Sequence, residues 1–214
     1  MAVALLLGQA KGPNLMKLGF LASKNGSNMQ AVIDACVDGT ILASPSLLVC
    51  NNPKAMAATR ARESGLTVEI LNGQSRPDPD DLDRSIRDAL QAHQINLVVL
   101  AGYIKRLGPC TLEAYANRIL NINPSLLPKF GGQGMYSIRV HEAVIQSGEE
   151  KTGATVHLVN ENYDEGAILK QKSISVEPDE TPESLQSRVL YLEHSLYPDT
   201  IAQIVSGKIT LPSA

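Results

Sequence analysis

Two asparagines, Asn121 and Asn123, stand two residues apart in the run Asn121-Ile122-Asn123-Pro124-Ser125-Leu126-Leu127-Pro128. Side chains at i and i+2 of a strand point to the same side, so this spacing lets two carboxamides converge on one reacting atom. A carboxamide N–H can donate to an oxyanion as it develops. It cannot carry a proton near neutral pH, because an amide is neither acid nor base there. On its own the pair stabilises negative charge and moves no proton.

A second group of polar residues is the turn Ser23-Lys24-Asn25-Gly26-Ser27-Asn28, between an apolar run and a helical pattern. The start of a helix presents unpaired backbone N–H groups at its positive end, and glycine allows close approach. With side-chain donors from Ser27 and Asn28 and a cation from Lys24, the turn can cradle a phosphate. The same residues make a well-capped helix start, since Ser and Asn are good caps, and the sequence does not choose between the two. The turn is neither a Walker loop nor GxGxxG, so nucleotide binding of those kinds finds no support.

Other candidates have bland readings too. Asp164, in Asn162-Tyr163-Asp164-Glu165-Gly166, is by residue type a turn aspartate beside a glycine. Glu193 is by default a solvated helix carboxylate. Of the four histidines, His93 ends a helix at the surface, and His194 is structural. His141 follows the 131–134 loop and either faces a site or packs locally. His157 lies on an apolar strand leading to Asp164, where a core histidine is the commoner outcome. Metal ligation finds no support, and Cys36, Cys50 and Cys110 are far apart, odd in number and free of CxxC spacing. They read as reduced thiols of a cytoplasmic protein.

The elements that position these residues alternate. Strands are expected at Leu18–Ala22, Leu47–Cys50, Val68–Leu71, Leu97–Ala101 and Ile119–Ile122. Helices are expected at about Asn28–Asp38, Ala55–Ser64, Asp81–Gln91 and Leu112–Ala116. This rhythm implies an α/β fold with a doubly wound, mostly parallel sheet. The tail departs from it: Thr155–Val159 and Ile168–Val176 read as an antiparallel pair. Thr181 then caps a long C-terminal helix, with Pro182 at its first position and Glu183 in its first turn. We expect one domain over 17–214, preceded by a frayed lead-in over 1–16.

At 214 residues, 43% hydrophobic and 19% charged, the chain has the composition of an ordinary soluble enzyme. A net charge of −3 provides no footprint for nucleic acid. No apolar run reaches the roughly 18 residues that span a membrane, and the apolar Ala2–Leu7 run lacks the preceding basic residue of a signal peptide.

Taken together, the motifs resemble those of the glycinamide ribonucleotide formyltransferase family, folate-dependent enzymes of purine synthesis, over nearly all of Lys17–Lys208. The matching pieces are Asn25-Gly26-Ser27-Asn28, Leu100-Ala101-Gly102-Tyr103, the Asn121–Pro128 run, Thr155-Val156-His157 with Asp164, and Glu193-His194. That family reads Asn-Ile-His-Pro-Ser-Leu-Leu-Pro, so Asn123 stands where it has a catalytic histidine. The resemblance implies a Rossmann-like fold and transfer of a formyl group from the cosubstrate 10-formyltetrahydrofolate to the amine of glycinamide ribonucleotide. It implies catalytic roles for Asn121, position 123 and Asp164, with Asp164 ordering a proton-carrying water. Gly26, Ser27 and Asn28 would hold the substrate phosphate and Glu193 its ribose. Ile104, Lys105, Arg106 and Leu107, with Asn121 and Asp164, would line the folate site. Arg76 is the closest match to a folate-facing arginine, with Arg84 the alternative. The Leu127–Pro128 bond is expected to be cis.

A donor such as the Asn121 side chain contributes ~10²–10³ in rate, and the missing general acid–base group ~10²–10⁴. Reduced activity is therefore expected. Three explanations stay open: a variant made to trap a complex, a homologue with reduced or shifted chemistry, and a folate- or nucleotide-binding protein without turnover. Among rival enzymes, methionyl-tRNA formyltransferases carry a further tRNA-binding domain and formyltetrahydrofolate hydrolases a regulatory module. A sugar-nucleotide N-formyltransferase would not be expected to have the Asn-Gly-Ser-Asn turn. The partners implied are small molecules, with no nucleic acid or membrane, and a monomer or homodimer.

Overall fold

The computed structural model describes residues 15–213. The expected lead-in lies almost wholly outside them, although Met16 is already part of the first strand and pairs with Ala43. In chain order the elements are β1 (Met16–Ala22), α1 (Ser27–Val37), β2 (Ala43–Cys50), α2 (Met56–Glu63), β3 (Thr67–Ile70), α3 (Pro79–Ala92) and β4 (Leu97–Leu100). They continue with α4 (Pro109–Ala114), β5 (Ile119–Asn123), α5 (Ile138–Gln146), β6 (Lys151–Leu158), β7 (Ile168–Ser175) and α6 (Pro182–Val205).

The strands form one sheet in the order β3-β2-β1-β4-β5-β6-β7. Pairs from β3 through β5 are parallel, whereas β6 runs antiparallel to both β5 and β7. Apolar residues on both faces of the central strands bury against two helical layers, as all-parallel stretches require. Leu18, Phe20, Leu48, Val99, Leu120 and Val156 join one core with α1, α2 and α6. Their alternates Leu21, Leu47, Val49, Val98, Leu100 and Ile119 join the other with α3.

Local chemistry explains where helices begin. The Asp78 side chain accepts from Asp80 N at the start of α3, with Pro79 in the first turn. Thr181 caps α6 by accepting from Ser184 N. The start of α4 is set at a distance: Asp83 of α3 accepts from Cys110 N at 2.7 Å and Thr111 N at 3.2 Å. That tertiary cap starts α4 at Pro109, before the expected Leu112. Within α6, the buried Tyr197 hydroxyl lies 3.1 Å from Leu100 O and 3.0 Å from Leu120 O, tying the helix to β4 and β5. The Leu127–Pro128 bond is cis.

Candidate active site

β1 sits between β2 and β4, so the chain winds outward from it in opposite directions. In such sheets a crevice opens beyond the carboxyl ends of the strands at the point of reversal. The turn after β1 forms one wall. Gly26 adopts a left-handed conformation (φ 72°) as the residue before α1, and no side chain caps the helix. The capped-helix reading of Ser27 and Asn28 therefore does not hold, and the helix start remains open to the cavity beside it. A Cβ at Gly26 would stand 2.7 Å from that of Ala57, whose N–H donates to Lys24 O. Lys24 Nζ and the Arg139 guanidinium lie 5.8 and 5.3 Å from the centre of the Tyr136 ring. A helix start with two flanking cations suits an anion.

The end of β5 forms the floor. Asn121 lies opposite His157, and Asn123 opposite Thr155, in the antiparallel register of β5 and β6. Asn121 Nδ2 donates to His157 Nε2 at 3.1 Å, which leaves its second hydrogen for another acceptor. Asn123, only 4% exposed, accepts from Ser125 Oγ at 2.8 Å through its amide oxygen. Its nitrogen is then the end available to Asp164, whose carboxyl it helps to hold down. Thr155 Oγ1 pins the turn after β5 by donating to Ser125 O (2.6 Å) and accepting from Leu127 N (3.1 Å).

Asp164 is held from several sides. Its Oδ2 accepts from Gly132 N at 2.8 Å, and its Oδ1 lies 3.5 Å from His157 Nε2. Burial pushes the carboxyl up, but His157, the Gly132 N–H and Asn123 together leave it below its ordinary value. His157 is 2% exposed, and its Nδ1 is 2.8 Å from Leu158 O. A carbonyl oxygen only accepts, so Nδ1 carries a hydrogen; Nε2 accepts from Asn121 in the neutral ring and donates toward Asp164 in the charged one. Gly166 packs against the same carbonyl: a Cβ there would lie 1.8 Å from Leu158 O.

Three cavities meet around these groups. The one lined by Lys24, Gly26, Ser27, Asn28, Asn123 and Glu193 measures about 600 Å³. A narrow one of about 90 Å³ lies between Leu100, Leu107, His157 and the 159–164 loop. Asn121 and Asp164 line both, together with Tyr103, Lys105 and Tyr163. A third, of about 610 Å³, extends past Lys105, Arg106 and Leu107 toward α3. Ile104 lines the first cavity, so the whole 104–107 segment reaches the site. Arg106 folds over the narrow cavity, 5.8 Å from the centre of the Tyr163 ring, and donates to Glu161 O.

Arg76 is not brought there. It donates to Ser85 Oγ at 3.1 Å and faces Asp81 at 3.4 Å on the outer side of α3, and Arg84 faces the same aspartate at 3.9 Å. Neither lines the three cavities. The prolines at 77 and 79 start the helix early and turn this face toward solvent.

Glu193 does reach the cavity, and it is not solvated. It is 6% exposed, its Oε2 accepts from Asn28 Nδ2 at 2.6 Å, and burial pushes its carboxyl up to about 7 against the pull of that hydrogen bond. His141 both packs and faces the cavity: it is buried, and burial draws its ring down to about 4, opposed by Glu180. His93 is the C-cap of α3, its Nδ1 2.9 Å from Ala89 O. Sequence reasoning missed Tyr136 and Arg139, which sit at and after an irregular loop without a periodic pattern; an aromatic and a cation just beyond a glycine-rich stretch were the available signal. Among the described residues, no three His, Cys, Asp or Glu side chains are grouped to hold a metal ion, and no helix is long and apolar enough to cross a membrane.

An amide N–H donor beside a carboxylate, placed where an open helix start flanked by two cations meets a second cavity, suits acyl transfer between two bound reactants. Residues 16–201 match the formyl transferase family, and the chain belongs to it. A chloroplastic phosphoribosylglycinamide formyltransferase of Arabidopsis thaliana is 39% identical over 208 residues, 97% of this chain and 71% of that one. The phosphoribosylglycinamide formyltransferase of Escherichia coli (strain K12) is 32% identical over 196 residues, 92% and 90% of the two chains. Among solved structures, glycinamide ribonucleotide transformylase 1 from Symbiobacterium toebii superposes with a TM-score of 0.87 at 32% identity, covering 94% of this chain and 92% of that one.

Proposed function

We propose that this chain transfers the formyl group of 10-formyltetrahydrofolate to the amine of glycinamide ribonucleotide, a step of purine synthesis. Gly26, Ser27 and Asn28 hold the phosphate, aided by Lys24 and Arg139, and Glu193 faces the ribose. The folate enters along Ile104, Lys105, Arg106 and Leu107. The observation that carries this assignment is the position of Asn121 and Asp164 on both cavities, where amine and formyl carbon must meet. Asn121 donates to the oxyanion, and Asp164 stays charged beside it. Asn123 keeps a donor toward Asp164 but cannot titrate, so turnover is reduced, not abolished. We assign residues 17–214 to one domain and its work to the cytoplasm, where three unpaired thiols stay reduced.

The test is steady-state formyl transfer from 10-formyltetrahydrofolate to glycinamide ribonucleotide. The Asn123→His variant is expected to turn over at least ~10-fold faster, as a restored general acid–base group requires. Equal rates would remove position 123 from the mechanism. Absence of product from both proteins would overturn the assignment.

A further inference from the structure

The amide at 123 leaves one step without an obvious agent: something must receive the proton that the attacking amine loses. The residue that the β5–β6 register sets opposite Asn121 can do so. Resting on the formyl-transfer assignment, we propose that His157, acting through Asp164, takes and returns the proton that a side chain at 123 cannot hold.

The geometry supplies the route. His157 Nδ1 is committed to Leu158 O, so Nε2 is the ring atom that can gain a proton. Nε2 lies 3.5 Å from Asp164 Oδ1, and Asp164 reaches the large cavity where His157 does not. As the amine nitrogen bonds to the formyl carbon, its proton passes to Asp164 and on to Nε2, leaving an imidazolium beside the carboxylate. The bond from the formyl carbon to the folate nitrogen then breaks. The proton returns by the same path to that nitrogen, so none is gained or lost overall. A proton on Nε2 also ends its acceptance from Asn121 Nδ2, freeing that amide for the oxyanion when the charge is greatest. Around the narrow cavity, the titratable groups facing His157 are Tyr103, Lys105 and Arg106 from the segment after β4, and Glu161, Tyr163 and Asp164 from the loop after β6.

Because His157 works through Asp164, it is a positioning residue that also stores a proton, and pH profiles separate this from a structural role. In the unmodified chain, kcat at saturating substrates is expected to rise with pH through an ionisation separate from those that Glu193 and the substrate amine add to kcat/KM. The ring carbon signal of His157, one of only four histidines, is expected to titrate at the same midpoint by NMR. His157→Gln is expected to remove that limb and lower kcat at least ~10²-fold, with KM values nearly unchanged. In the Asn123→His background the same substitution should cost less than ~10-fold, because the two histidines then share one task.

Equal fold-losses in the two backgrounds, or a limb that survives His157→Gln, would overturn the relay. So would product from Asn123→His with none from the unmodified chain. If His157→Gln fails to fold, the NMR titration decides: a ring that does not titrate, or does so at another midpoint, overturns the proposal. Absence of product from both the unmodified chain and Asn123→His removes the formyl-transfer assignment itself. Product with an unaltered profile in His157→Gln removes the relay alone.

Discussion

Glu193 shows how a single buried side chain can burden the fold it belongs to. It is buried with one hydrogen-bond partner, Asn28, and its carboxyl rises from 4.5 to about 7 on folding. A group that binds its proton more readily in the native state contributes fully below its ordinary value, and that contribution is lost as pH climbs through the folded one. At pH 8 the ionised carboxylate is a burden on the fold. Glu193→Gln keeps the shape and removes the charge. It is therefore expected to raise the melting temperature at pH 8, by about 2–4 °C for each kcal/mol relieved, and to leave it nearly unchanged at pH 4. Scanning calorimetry at the two pH values measures this. If Glu193 faces the ribose as proposed, the same variant should bind the ribonucleotide more weakly in a titration.

At the scale of elements, the turn between β1 and α1 has little freedom. Gly26 is left-handed, and a methyl group there would meet Ala57 of α2. Gly26→Ala is expected to cost roughly 1–3 kcal/mol from strain and overpacking, read as a lower urea midpoint with unchanged m-value. It should also weaken phosphate-dependent binding, because α1 must shift away from α2. This turn, the parallel strands and the α6 start were legible from the sequence, since each is set by residues within a few positions of one another. What was hidden depends on distance. The reading paired β6 with β7 but could not place β6 beside β5, so the neighbourhood of Asn121 and His157 was out of reach. The early start of α4 hangs on Asp83, some 26 residues upstream of Pro109, and the outward face of Arg76 follows from where α3 begins.

For the molecule as a whole, α6 holds the site together. It carries Glu193 to Asn28 at the turn after β1, and four residues later Tyr197 places its hydroxyl between the carbonyls of β4 and β5. Tyr197→Phe would leave two buried carbonyl oxygens without that donor, at an expected cost of about 1–3 kcal/mol. Chemical denaturation would measure the loss. Turnover should fall less than in variants of Asp164, because the reacting groups themselves are untouched.

Gly166 contributes no functional atom, yet any side chain there would press on the oxygen that fixes the His157 ring. Displacing that oxygen would release Nδ1 and let the neutral imidazole carry its hydrogen on either nitrogen. A methyl group missing from the chain, its place taken by a carbonyl oxygen, thus fixes the tautomer of a ring earlier in the chain, on β6.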